Sequence, residues 1–277
     1  MTWNPQYRNY STFPMQHNFA MLFLLSPAKS LDYNSPAPPE LAHTLPQFVK
    51  QSAQLIELLR QFSPQQISEL MDLSDALAAL NVARYEAWRP KFTAKNSKQA
   101  ILAFNGDVYD GMDAKSLKAA DLEWAQSHVL MLSGLYGALR PLDRMQPYRL
   151  EMGTKLGNPL GNNLYKFWGS TVAHHLNAQL AADKMPVIVN LASNEYFKVV
   201  DRKILRARVV ECVFEEYKNG QYKVISFMAK RARGMMARFA IQKRIQDVKK
   251  LEGFSSDGYA YHAGSSTPDR LVFRRKV

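Results

Sequence analysis

Three short apolar runs, MLFLL at 21–25, QAILAF at 99–104 and PVIVNLA at 186–192, constrain this chain most. Each is too short to span a bilayer, and each reads as a short buried strand. A polar cluster follows every run: Ser26 and Lys29 after the first, Asn105, Asp107 and Tyr109 after the second, and Ser193, Glu195, Tyr196 and Lys198 after the third. Open α/β sheets hold ligands beyond the carboxyl ends of their strands, which makes the three clusters candidates for one pocket.

Between the runs, apolar residues recur at helical spacing from Pro46 to Trp88, with Ser63-Pro64 and Ser74 as starts, predicting two or three helices. Residues 121–127 and 163–180 also read as helices. ARVVECVFEEYKNGQYKVISF reads as a β-hairpin closed by Asn219-Gly220, and MAKRARGMMARF as a helix. The expected class is mixed α/β (α+β), a single large domain of unusual topology over residues 21–277. Residues 1–20 carry no basic segment leading into an apolar one and are expected to form a flexible extension rather than a signal peptide.

The chain carries a formal charge of +12, distributed unevenly. Residues 1–197 hold 17 Lys+Arg against 16 Asp+Glu, whereas residues 198–277 hold 19 against 8. Such asymmetry suits a polyanion-facing surface, although a solvated basic surface kept for solubility has the same composition. In MAKRARGMMARF, Met228, Ala232, Met235, Met236 and Phe239 share one side of a helical wheel, and Lys230, Arg231, Arg233 and Arg238 the other. Four cations without an interleaved acid repel one another unless an anion faces them, so this helix is the strongest pointer to phosphate binding.

The stretch LSGLYGALRPLDRMQPYRLEMG places Gly134 and Gly137 ahead of Arg140, Asp143, Arg149 and Glu151. It can be read as a hairpin between helices that offers backbone N–H groups to a nucleic-acid phosphate, similar to a helix-hairpin-helix element, or as a tight turn in a packed region. A carboxylate of the pocket, Asp107, Glu151 or Glu195, could serve as general acid or base with Lys29, Arg140 and Arg149 holding an anionic substrate. Structural salt bridges produce the same pattern.

Other chemistries lack their signatures. The six histidines form no His-x-x-x-His or Glu-x-x-His pair, so no metal or other cofactor is expected. There is no Walker loop, G-x-G-x-x-G or G-x-S-x-G. The single cysteine, Cys212, excludes an internal disulfide, sits in strand-like sequence and suits a reducing, cytoplasmic compartment.

LLSPAKSLDY, ILAFNGDVY, MLSGLYGALRPLDRMQPYRLEMG, LYKFWG, NLASNEYFK, ISFMAKRARGMMARF and GFSSDGY resemble, in the same order, the blocks of the YaaA family of bacterial peroxide-stress resistance proteins, from Met21 onward. The resemblance implies a cytoplasmic protein with a helix-hairpin-helix element and a basic cleft for duplex or structured DNA, which limits oxidative damage when peroxide meets free iron. A monomer that binds DNA and no membrane is expected, and the alternative is an enzyme acting on a nucleobase or nucleotide.

Overall fold

A computed structural model describes residues 21–276, and the expected N-terminal extension, residues 1–20, lies outside them. In chain order the strands are β1 (Met21–Leu25), β2 (Ser30–Leu31), β3 (Lys98–Gln99), β4 (Phe104–Asn105), β5 (Val129–Ser133), β6 (Gly137–Leu139), β7 (Arg144–Met145), β8 (Val187–Leu191), β9 (Arg208–Lys218), β10 (Gln221–Lys223), β11 (Ala260–Tyr261) and β12 (Arg270–Arg275). The main sheet has the order β11-β12-β9-β8-β1-β5-β6, with β10 paired to β9. Neighbours from β5 to β12 run parallel, and β6, β10 and β11 are antiparallel additions.

β1 lies between β5 and β8, and all five of its residues are buried, as an apolar run without alternation requires. The helices are α1 (Val49–Leu59), α2 (Pro64–Met71), α3 (Asp75–Ala87), α4 (Ala100–Ala103), α5 (Asp107–Met112), α6 (Ala119–His128), α7 (Leu164–Trp168), α8 (Thr171–Gln179), α9 (Asn194–Phe197) and α10 (Ser226–Lys243). The stretch 46–88 thus forms three helices. Ser63 caps the second by a reciprocal capping box with Gln66, and Pro64 occupies the first turn. Asn219 and Gly220 both take positive φ and close the β9–β10 hairpin. Among the described residues, no helix is long and apolar enough to cross a membrane.

Three expectations need correction. QAILAF is mostly helix: Ala100–Ala103 form α4, and only its flanks pair as β3 and β4. A four-residue apolar run satisfies burial in either conformation, so periodicity could not decide. Residues 163–180 form two helices, because Gly169 at φ 47° ends α7 before Thr171 starts α8.

The third correction removes the helix-hairpin-helix. Residues 129–139 are strand, turn and strand, with β5 antiparallel to β6. Gly134 and Gly137 are buried, and the turn's polar groups are committed internally: Trp168 Nε1 donates to the Gly134 carbonyl at 2.9 Å, Ser52 Oγ to the Leu135 carbonyl at 2.9 Å, and Tyr136 N to Ser133 Oγ at 2.9 Å. Nothing there faces an external phosphate. Gly134 has no positive φ either; it is required because a Cβ would stand 2.2 Å from the Leu150 carbonyl oxygen.

α5 and α10 cross backbone to backbone. A Cβ on Gly111 would stand 2.1 Å from the Arg231 oxygen, and one on Gly234 1.8 Å from the Val108 oxygen. Gly234→Ala is expected to force the helices apart at a cost of about 3 kcal/mol, read as a lowered Tm; an unchanged Tm would show that the crossing adapts freely.

On α8, His174 is exposed, whereas His175 is half-buried, edge-on to Phe48 at 5.2 Å, with Gln179 Nε2 at 3.0 Å. Burial, with a smaller contribution from Arg140, lowers the His175 pKa to about 4. An unfolded-state histidine near 6.5 therefore binds its proton first as pH falls, and stability should decline between about pH 6.5 and 4. Replacing His175 with Gln should flatten that part of the pH–stability curve measured by urea unfolding.

Candidate functional site

β1 and β8 are paired in register to their last residues, Leu25 opposite Leu191, so their following loops emerge side by side. Pro27 cannot donate to a ladder and turns the first loop away from the sheet. Ser26 ties the loops together: its Oγ accepts from Ser193 N at 2.9 Å and lies 3.4 Å from Ser193 Oγ. The Ser26 carbonyl accepts from Tyr109 Oη at 3.0 Å, which attaches α5 to the same point. β2 and β4 complete the junction, because their antiparallel pairing sets Ser30 opposite Asn105. The three polar clusters read from the sequence therefore converge.

They enclose a cavity of about 270 Å3. Ser26 and Lys29 contribute from the first loop, Asn105 and Asp107 from the β4–α5 junction, and Ser193, Glu195 and Tyr196 from the start of α9. The basic helix α10 adds Lys230 and Arg233. Glu195 is held in place, because Gly153 N donates to its Oε1 at 2.9 Å and Tyr165 Oη to its carbonyl at 2.9 Å. Just behind Lys29, Glu151 takes Lys29 Nζ at 3.0 Å and Arg149 Nη2 at 3.2 Å. Lys29 is largely exposed, while Arg149 and Glu151 are not, so the Arg149 pair is the better shielded of the two.

Several predicted residues have other employment. Tyr109 is buried and supports Ser26 from behind, and Lys198 lies over the Tyr165 ring at 4.9 Å, outside the cavity lining. Arg140 and Asp143 belong to a separate buried lock after β6. There Arg140 Nη2 meets Asp143 Oδ1 at 3.0 Å, and Thr44 donates to the same carboxylate oxygen. Burial raises the Asp143 pKa against the pull of Arg140.

The basic helix also divides its cations differently from the wheel. Lys230 and Arg231 are exposed. Arg238 instead donates to the carbonyls of Met112 at 2.9 Å and Asp113 at 2.8 Å, closing the C-terminus of α5. Arg233 is half-buried at the cavity wall, and its Nε is enclosed without an acceptor. Desolvation lowers its pKa, only partly opposed by Cys212 and Glu211. Helical periodicity could not separate these roles, because what Arg233 and Arg238 meet is set by α5 and by the sheet. Among the described residues, no group of three His, Cys, Asp or Glu side chains is placed to hold a metal ion.

The sequence pattern of the family described as peroxide stress protein YaaA matches residues 21–265. The chain belongs to the YaaA family. It is 66% identical over 256 residues to a UPF0246 protein of Paracidovorax citrulli, a match covering 92% of this chain and 99% of that one. A UPF0246 protein of Albidiferax ferrireducens is also 66% identical, over 92% and 98% of the two chains, and one of Bordetella petrii 62% identical, over 93% and 100%. In this YaaA chain the family match begins at β1 and takes in every loop that lines the cavity.

Ser26→Ala should leave Ser193 N without its acceptor and cost about 1–2 kcal/mol. Denaturant unfolding reads this loss; a variant as stable as wild type would mean that the two loops are held by other contacts.

Proposed function

We propose that this YaaA protein contributes to peroxide-stress defence by binding DNA as a cytoplasmic monomer, holding backbone phosphates along a basic cleft that crosses the cavity. The carrying observation is Arg233, a desolvated cation whose Nε has no acceptor, in the same cavity wall as Lys230 and near the exposed Lys29. A charge kept in that state gains from an anion brought by a ligand. Beside the cavity, the exposed Lys29 and the more buried Arg149 share Glu151. Phosphates spaced along a DNA strand suit the several cations Lys29, Lys230, Arg231 and Arg233 better than one small anion does.

The convergence of Asp107 and Glu195 on the cavity favours a second reading, an enzyme acting on a nucleobase or nucleotide whose phosphate the same cations hold. Asp107→Asn tests it, because no side-chain hydrogen bond or ion pair of Asp107 exists among the described residues to be lost. Loss of turnover at unchanged DNA affinity would promote this reading.

Lys230 and Arg231 are exposed, so replacing both with Ala should leave Tm nearly unchanged while weakening binding to unrelated duplexes alike. If both contact phosphates, the log–log salt slope should shrink in magnitude by about 2. Fluorescence anisotropy across a salt series reads both quantities. Identical slopes for variant and wild type would reduce this face to solvated charge.

A further inference from the structure

A second cavity, of about 410 Å3, shares no lining residue with the first. One wall is the proline-rich loop, from Tyr33 through Pro36, Pro38 and Pro39; the other is built from Ala94 and Lys95 together with the paired strands β3 and β7. The walls are fixed in advance. Lys98 Nζ donates to the carbonyls of Asp32 and Ser35, both at 2.7 Å, and Tyr33 Oη donates to the Met145 carbonyl at 2.6 Å.

Arg144 lines this cavity with its guanidinium unpaired. Its Nε is enclosed without an acceptor, and its side chain has no hydrogen bond or ion pair among the described residues. Nearby acids are already engaged: Asp143 by Arg140, and Asp32 by Lys98 and Lys115. Residues 1–20 contain no Asp or Glu, so no acidic side chain can come from that segment. Burial lowers the Arg144 pKa without an opposing acid, and Arg144 in turn helps to lower that of His43.

We infer that this cavity is a mononucleotide site, in which Arg144 and Lys95 take the phosphate while Tyr33 and the proline wall pack against the base. The volume lies in the range of small-molecule sites, and a rigid apolar wall beside an uncompensated guanidinium matches a ligand with an apolar ring at one end and a dianion at the other. The site is independent of the DNA-binding reading, because none of its residues lines the first cavity.

Calorimetric titration of the full chain with AMP, and separately with inorganic phosphate, tests it. Wild type should bind AMP saturably, and Arg144→Gln should weaken that binding about tenfold or more, the effect of losing a charge-assisted contact. Arg233→Gln should bind AMP like wild type, and Ala94→Trp, which fills the cavity while keeping Arg144, should abolish binding. Absence of saturable AMP binding at millimolar concentration, or wild-type affinity in either Arg144→Gln or Ala94→Trp, would overturn the inference. Loss in Arg233→Gln alone would overturn it too, by moving the ligand to the first cavity. Inorganic phosphate should bind more weakly than AMP; equal affinity would overturn the role given to the apolar wall.

Discussion

The contact between α5 and α10 at Gly111 and Gly234 sets where the basic helix meets the cavity. Carbonyl oxygens of each helix occupy the space where the other's Cβ would be, so no other residue fits without moving a helix. That contact fixes both ends of the charged surface. α5 starts with Asp107 at the cavity and ends at Asp113, where Arg238 of α10 closes it, while Lys230 and Arg233, one turn before Gly234 and just beside it, face the cavity. A shift of α10 along its axis would move the cations and break the Arg238 cap together, which makes the basic helix a rigid part of the site.

The polar residues at the junction fall into two groups by how completely they are paired. Ser26, Tyr109 and Glu151 are engaged with neighbouring loops and hold the cavity's shape, and Glu195 is anchored through one carboxylate oxygen. The enclosed Nε atoms of Arg144, Arg149 and Arg233 have no acceptor among the described residues. Buried polar groups are ordinarily satisfied, so such exceptions mark where the fold carries a cost that packing does not explain. Two of the three lie at or behind the first cavity and the third in the second, which ties unpaired guanidinium to concave surface in both places.

How much of this was legible in the sequence depended on whether local signals sufficed. β1 and β8 were readable because a continuous apolar run ended by Pro27 or by a polar cluster has few other uses, and the β9–β10 hairpin because Asn219-Gly220 names its own turn. The loops after them converge because β1 and β8 are parallel neighbours and deliver their carboxyl ends to one edge, a pairing that local sequence signals do not carry. What failed needed knowledge of a partner. Gly134 looks like a glycine of a phosphate-binding hairpin until Leu150 is seen against it, and Arg238 looks like a surface cation until the end of α5 is seen beneath it. A helical wheel sorts residues into inward and outward, but Arg233 is neither.

Membership of a peroxide-stress family raises the question of whether the protein meets peroxide itself, and its sulfur chemistry bears on the answer. Peroxide-reactive cysteines are exposed and hold a low pKa, because the thiolate is the nucleophile. Cys212, the only cysteine in the chain, lies inside β9, and burial pushes its thiol up to about 12, with Arg233 opposing this only in part. It remains a thiol at neutral pH and has no second cysteine with which to form an internal disulfide. Cys212 is therefore suited to packing the sheet and not to reducing peroxide by a thiol cycle. Its neighbour Arg233, which lines the cavity, opposes the burial of the thiol too weakly to make the sulfur a thiolate.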